Sequence, residues 1–231
     1  MSDGQLITDA VLPLALLGMP TDGTIAIEQM VGTGFVIGSP QRLVTAKHVA
    51  NRGDRIVGMH SRDGAWISVG LQDRRDHPTE DVSLYSLEAP LNCADWFVFT
   101  SEKQFGAGDY AAWGYPEDVF YDYCVGSVPG RAQIRPEVIY GAGHIRRRVS
   151  QPMPGLIGTA FLELSDTLGS GASGGPVIAK GRPYSGLRVI GVYVGERTTQ
   201  TGGGAPRSVS YATRISSITD WLREQGIQVL D

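Results

Sequence analysis

Residues 32–48 read Gly-Thr-Gly-Phe-Val-Ile-Gly-Ser-Pro-Gln-Arg-Leu-Val-Thr-Ala-Lys-His. Two short apolar runs, Gly34–Ile37 and Arg42–Thr45, flank Gly38, Ser39 and Pro40, residue types that favour turns, so the stretch predicts a pair of strands with His48 at the mouth of the hairpin. The same pattern repeats in both directions. Val11–Leu17, Thr24–Glu28, Arg55–Met59, Ala65–Gly70, Val82–Leu87, Tyr110–Trp113, Val138–Ile145, Ala160–Leu164, Val177–Ala179, Val189–Val194 and Ser208–Arg214 are apolar or alternating segments of strand length, set apart by Gly, Pro and Asp. An all-β chain of two packed barrels or a sandwich follows. The polar segment Ser101–Gly108 is the best seam between halves of similar size. Only the tail reads as helix: Ile215, Ile218, Trp221 and Leu222 share one face, Ser hydroxyls are available as a cap, and Gly226 stops it.

Composition agrees and sets limits. Gly contributes 31 of 231 residues without a collagen-like period, which suits a turn-rich β domain. A net charge of −4 argues against a broad cationic surface for nucleic acid or anionic lipid, and Arg146-Arg147-Arg148 reads as a solvated face that needs no partner. No apolar run is long enough to span a membrane, and the apolar stretch Val11–Met19 has acidic Asp3 and Asp9 before it where a secretory signal needs cations. A cytoplasmic protein is expected. Cys93 and Cys124 have no metal-ligand spacing, no two histidines lie three to five residues apart, and no cofactor or metal is expected. Two thiols in a reducing compartment is the preferred reading of the cysteines.

The chemistry concentrates in Gly169-Ser170-Gly171-Ala172-Ser173-Gly174-Gly175-Pro176-Val177. Glycines around a serine let the backbone turn tightly and aim two amide N–H groups at one substrate oxygen. A serine hydroxyl needs a base, and the chain has only His48, His60, His77 and His144 to choose from. His48 is best placed, on the barrel rim. The base in turn needs a carboxylate to hold its tautomer. Asp81 opens the alternating strand Val82–Leu87 and can be fixed by it; Asp73, Asp76 and Glu80 compete, in Arg- and Pro-rich surroundings that read as a solvated loop.

With these segments the chain resembles the trypsin/chymotrypsin-type serine peptidases, including the bacterial HtrA-like branch. The matching pieces are Gly-Thr-Gly-Phe-Val-Ile at 32–37, Thr-Ala-Lys-His at 45–48, Asp-Val-Ser-Leu at 81–84, Gly-Ala-Ser-Gly-Gly-Pro-Val at 171–177 and Tyr-Ala-Thr-Arg-Ile with the Trp helix at 211–221. Residues 171–175 also fit the G-x-S-x-G elbow of α/β-hydrolases, but that fold needs its histidine after the serine, and the last one here is His144. The resemblance implies two antiparallel six-stranded β-barrels and a C-terminal helix, residues 1–105 carrying His48 and Asp81 and residues 106–231 carrying Ser173. It implies an endopeptidase: Ser173 as nucleophile, His48 as base, Asp81 as its orienting carboxylate, and the amides of Gly171 and Ser173 as oxyanion hole.

Two departures from the secreted trypsins carry information. Ala172 stands where they place the Asp that receives a new N-terminal amine, so activation by trimming is not expected. Thr167, followed by Leu168, stands where trypsins place the Asp that pairs with substrate Lys or Arg, and a neutral floor cannot offset the desolvation of a cation. Tyr193, Val194, Gly195 and Val209 would wall the pocket, favouring an uncharged, small or medium side chain, while Glu196 at the rim keeps a basic one open. An extended substrate would add as a strand beside Tyr193–Gly195. The aromatics Tyr110, Trp113, Tyr115, Phe120, Tyr121 and Tyr123 line an outer pocket or, as the preferred reading, belong to the first hairpin of the second barrel. The expected partner is a protein or peptide substrate, with restraint from narrow specificity or a regulatory protein. The rival reading is an inactive trypsin-like fold acting as a protein-binding module.

Overall fold

A computed structural model describes residues 7–18, 27–38, 41–62, 65–93, 97–102, 108–117, 124–125, 132–133, 136–180, 186–200 and 206–231. The strands are β1 (Val11–Leu17), β2 (Ile27–Ile37), β3 (Arg42–Thr45), β4 (Ile56–Arg62), β5 (Ala65–Asp76), β6 (Ser83–Leu87), β7 (Phe97–Thr100), β8 (Asp109–Gly114), β9 (Cys124–Val125), β10 (Ala132–Gln133), β11 (Ile139–Ser150), β12 (Ala160–Leu164), β13 (Pro176–Ala179), β14 (Leu187–Thr199), β15 (Arg207–Arg214) and β16 (Val229–Leu230). Two short helices interrupt them, α1 (Lys47–Ala50) and α2 (Thr219–Glu224).

The first barrel closes in the order β1-β2-β3-β6-β5-β4, with β4 returning to β1. In the second, β13-β8-β11-β12-β15-β14 run in order and β14 pairs back with β13, closing six antiparallel strands. Closure of both sheets excludes the sandwich and makes the fold a chymotrypsin-like double barrel. Strand β7 adds to β14 in parallel, and β16 adds to β7 in parallel. Thus β7, N-terminal to the expected division of the chain, is hydrogen-bonded to the second barrel; residues 103–107, where that division falls, lie outside the described residues.

Period-two alternation explains how one strand serves two cores. Leu12 and Leu14 of β1 are buried with Val36, Leu43, Ile56 and Tyr85. The preceding Val11 and the following Ala15 join Phe35, Val44, Val82 and Leu84 in a second cluster, which also takes Phe97, Phe99, Tyr115, Ile215 and Leu222 from beyond the first barrel. That cluster is the seam between barrels. Phe35 meets Phe97 and Phe99 edge-on, with centroids 5.3 and 6.1 Å apart. The buried Tyr115 hydroxyl donates to the Val11 carbonyl across the seam at 3.1 Å. Burial pushes that hydroxyl's pKa far up, so it remains a donor.

Several local expectations change. The tail begins as a 3-10 turn, Ile215–Ser217, and α2 has no side-chain cap; Ser217 Oγ donates back to the Arg214 carbonyl at 2.7 Å. Leu222 is fully buried, and Trp221 stacks edge-on against His77 with centroids 5.2 Å apart. The arginine run is not merely solvated, because Arg146 and Arg147 both bind the buried Glu163 carboxylate, at 3.1 and 2.8 Å. Tyr110 and Tyr115 are core residues and Trp113 lies half-buried against Tyr140, while Phe120, Tyr121 and Tyr123 lie outside the described residues. Cys93 Sγ accepts from Gln41 Nε2 at 3.5 Å, and the Cys124 side chain is outside the described set. Among the described residues no helix is long and apolar enough to cross a membrane.

Candidate active site

Strand β3 ends at Thr45, and the extended backbone of Ala46 leads into the single turn of α1. Val49 and Ala50 are buried, which anchors the turn and leaves Lys47 and His48 on its outer side. Arg74 steadies the far end, donating to the Ala50 carbonyl and to Asn51 Oδ1. Asp81 then holds His48 at two points: Oδ1 accepts the His48 backbone N–H at 2.8 Å and Oδ2 lies 2.7 Å from Nδ1. The side chain of Asp81 is 2% exposed and that of His48 31%. Two contacts from one buried carboxylate fix the position of the ring and favour the tautomer that carries its proton on Nδ1, leaving Nε2 uncommitted among the described residues.

The turn presenting Asp81 is itself held. Lys47 Nζ donates to the His77 carbonyl at 3.0 Å, and the His77 N–H donates to the Val82 carbonyl at 2.9 Å. The His77 ring is buried, and its Nδ1 accepts the amides of Glu80 and Thr79 at 2.9 and 3.3 Å. An acceptor at Nδ1 requires neutral imidazole, and burial lowers its pKa below the ordinary 6.5, with Lys47 acting in the same sense and Glu80 against it. Below pH 6.5 the unfolded chain takes a proton that the folded ring refuses, so stability is full above that pH and falls on acidification until the folded ring is also protonated. Urea midpoints measured from pH 7.5 down to 5.5 should decline, and His77→Asn, which keeps an acceptor but cannot titrate, should flatten the decline. An unchanged slope in that variant would assign the pH effect elsewhere.

Of the rival carboxylates, Asp76 and Glu80 are engaged otherwise, and Asp73 is exposed on a strand. Asp73 and Asp76 belong to β5, where a bulge between Gln72 and Arg75 places Asp73 at φ 50°. Asp76 binds Arg74 and Ser83 at 2.7 Å each, and these bonds outweigh burial to hold its pKa low. Glu80 is directed into the second barrel. Of the remaining histidines, His60 lies in β4 and His144 is exposed on β11.

Ser173 comes from the second barrel, yet its loop is strapped to the first. Thr33 of β2 is the hub: its N–H donates to the Ser173 carbonyl at 2.8 Å and its hydroxyl to the Gly171 carbonyl at 2.9 Å. That hydroxyl also accepts the Tyr115 amide at 2.9 Å, and the Thr33 carbonyl accepts from Thr45 Oγ1 at 2.7 Å. On the other side Gly174 N–H donates to the Tyr193 carbonyl at 2.7 Å and Tyr193 N–H to the Gly175 carbonyl at 2.9 Å. Gly174 has φ +94°, and a Cβ there would fall 2.0 Å from the Thr33 carbonyl oxygen, 2.3 Å from Thr45 Oγ1 and 3.1 Å from the Ala46 amide. Only glycine lets the loop sit this close to the residues that precede His48. The amides of Ala172 and Gly175 are used within the loop, whereas those of Gly171 and Ser173 donate to no acceptor among the described residues.

The expected pocket residues divide between two clusters. Tyr193 and Leu168 are buried together inside the second barrel. Val194 and Val209 join Met153, Phe161 and Tyr211 on its other face, with Leu156 packed against them. Thr167 is half-buried, its amide on Asp166 Oδ1 at 3.0 Å, and Gly195 (φ +145°) lies under Leu156. Glu196 is not a spare charge at the rim: its Oε1 accepts the Tyr193 hydroxyl and the Gly169 amide, each at 2.6 Å. It ties the Ser173 loop to β14. Beyond Tyr193, β14 pairs with β15 along one edge only among the described residues. No three carboxylate, imidazole or thiol groups converge as a metal site among the described residues.

Comparisons with known proteins agree with this fold. In shape the chain is similar to the apo MamO protease domain from Magnetospirillum magneticum, at 12% identity and TM-score 0.64, covering 94% of this chain and 97% of that one. It is similar to the HtrA-type protease AlgW, at 16% identity and TM-score 0.63, covering 94% of this chain and 64% of that one. It is similar too to the active form of Rv3671c protease from M. tuberculosis, at 18% identity and TM-score 0.60, covering 97% and 84%. No curated protein matches. The family model described as a trypsin-like peptidase domain matches residues 32–192, from the Thr33 hub through the serine loop to β14, and the chain therefore belongs to the trypsin-like peptidase family.

Proposed function

We propose that the chain is a serine endopeptidase working through Ser173, His48 and Asp81. The observation that carries the reading is the two-point hold of Asp81 on His48, which commits Nδ1 and leaves Nε2 as the only ring position able to take a proton. Ser173 Oγ attacks the scissile carbonyl carbon while Nε2 takes its proton. The resulting oxyanion is received by the Gly171 and Ser173 amides, donors of a kind worth about 3–4 kcal/mol each. The intermediate collapses, the C–N bond breaks, and the leaving amine takes the proton from Nε2. Water, deprotonated by the same nitrogen, then attacks the acyl carbon, and the C–O bond to Ser173 breaks as Oγ takes the proton back from Nε2.

Two features narrow the substrate. The single-sided edge of β14 from Val194 onward suits an extended peptide added as a strand. Thr167 and Leu168 carry no charge at the expected pocket floor, and Glu196 Oε1 is already bonded to Gly169 and Tyr193, which together favour an uncharged side chain at the cleavage site. Ala172 is fully buried against Gly114, with no room or charge for a new N-terminal ammonium, so the site needs no trimming.

A fluorophosphonate probe tests the reading. The untrimmed chain should label at Ser173, found by peptide mapping, and His48→Ala should block labelling. Absence of labelling in the folded wild-type chain would favour the binding-module reading.

A further inference from the structure

We infer that Glu80 is a positioning residue for the triad: it carries the grip of the second barrel onto the turn that presents Asp81. The inference rests on the reading of Asp81 as the carboxylate that orients His48.

Glu80 lies at the end of the first barrel's His77 turn and is 5% exposed. Its carboxylate crosses the seam and accepts the Thr159 amide at 3.1 Å, the Thr159 hydroxyl at 3.1 Å and the Ala160 amide at 3.2 Å. No salt bridge reaches it among the described residues: its oxygens are held by oriented neutral donors at the start of β12, and the buried Arg214 acts on it only through space. Such an arrangement is sensitive to geometry, because each donor must stay in place for the charge to stay buried. The second barrel is shaped to receive it. Gly158 has φ +103°, and a Cβ there would fall 2.3 Å from Glu80 Oε2.

The main chain of Glu80 is equally committed. Its amide donates to His77 Nδ1 at 2.9 Å, and its carbonyl accepts the Val82 amide at 3.0 Å. Amide, carbonyl and carboxylate are all fixed, and the next residue is Asp81. The ring of His48 is thus set within the first barrel by a carboxylate whose own position is set from the second. The donors follow directly on the Met153–Leu156 turn, which packs with Val194 and Val209 beside the edge offered to substrate. The orientation of the base and the shape of that edge share one support.

The test compares wild type, Glu80→Ala, Glu80→Gln and Thr159→Val as full chains. Fluorophosphonate labelling is resolved into a maximal rate and a half-saturating probe concentration. Proton NMR follows the downfield resonance of the His48 Nδ1 proton shared with Asp81, which reports orientation without needing turnover. Glu80→Ala should lower the maximal labelling rate about 100-fold with the half-saturating concentration within about twofold, since misplacing a catalytic group by an ångström costs that much. Its Nδ1 resonance should broaden through faster solvent exchange. Glu80→Gln, retaining one acceptor oxygen, and Thr159→Val, losing one donor, should fall between. Wild-type labelling and an unshifted, sharp Nδ1 resonance in Glu80→Ala, or in Glu80→Gln if the alanine variant does not fold, would reduce Glu80 to a structural staple and overturn the inference. A wild-type chain that fails to label, yet loses its Nδ1 resonance on Glu80→Ala, would sink the peptidase reading and leave this one standing.

Discussion

Ser173→Ala is expected to abolish turnover, lowering kcat by about 10⁶-fold, while leaving the melting temperature unchanged. The two halves of that expectation have separate causes. Catalysis needs the hydroxyl at 173, because alanine there can form no ester with the substrate acyl group. The fold needs only the backbone of residue 173, whose carbonyl receives the Thr33 amide at 2.8 Å and would do so equally from alanine. Thermal melting beside a peptide-cleavage assay separates the two. Cleavage persisting within tenfold of wild type would remove Ser173 from the mechanism; a collapsed melting transition would show that its hydroxyl also supports the fold.

Gly174→Ala should have the opposite character and damage the loop itself. A left-handed backbone costs a non-glycine residue about 1–2 kcal/mol, and overpacking adds about 1–3 kcal/mol. At this site the added methyl meets a backbone carbonyl that cannot move without pulling β2 with it. The expected loss is about 2–5 kcal/mol in urea unfolding, together with nearly complete loss of probe labelling. Gly155→Ala is the control: its φ is +82° and nothing lies within 4 Å of the added carbon, so only the conformational cost remains, about 1 kcal/mol. Equal losses at the two positions would mean that the close approach of the serine loop to β2 is not what Gly174 provides.

What could be read from the chain, and what could not, divides by the distance over which each residue finds its partner. β1, β3 and β12 lie where local alternation puts them, because their signals are contained in the strands themselves. The segments expected at Thr24–Glu28 and Gly34–Ile37 belong, from Ile27 on, to one strand, β2, since bulges opposite Leu14/Ala15 and Leu16/Leu17 carry pairing through the polar, glycine-containing stretch between them; residues 24–26 lie outside the described set. β5 likewise continues past Gly70 into residues that look like loop, with the break absorbed at Asp73. β7 and β16 carry no hairpin signal because their ladders are parallel and their partners are remote.

The same rule holds at the site. His48, Asp81 and Ser173 stand out because chemistry restricts which residue types can serve and in what company. Thr33 and Glu80 do not. Thr33 looks like any β-branched strand residue, and its importance comes from Gly171, 138 positions away. Glu80 resembles a screened surface acid beside Arg74 and Arg75 until Thr159, 79 positions on, is brought to it. Glu196 resembles a rim charge until the fold places Gly169 and Tyr193 against it. Supporting contacts of this kind are products of topology, and residue identity alone does not announce them.

The strapping of the serine loop onto Thr33 and Thr45 also orders events during translation. The N-terminal barrel can close around His48 and Asp81 as soon as β6 clears the ribosome, but the loop it must receive is made much later, and Thr159 has yet to emerge when Glu80 is already exposed. On the proposed function, a nascent chain on the polysome carries the base without the nucleophile. On that reading the complete triad forms only when the late half docks onto the early one.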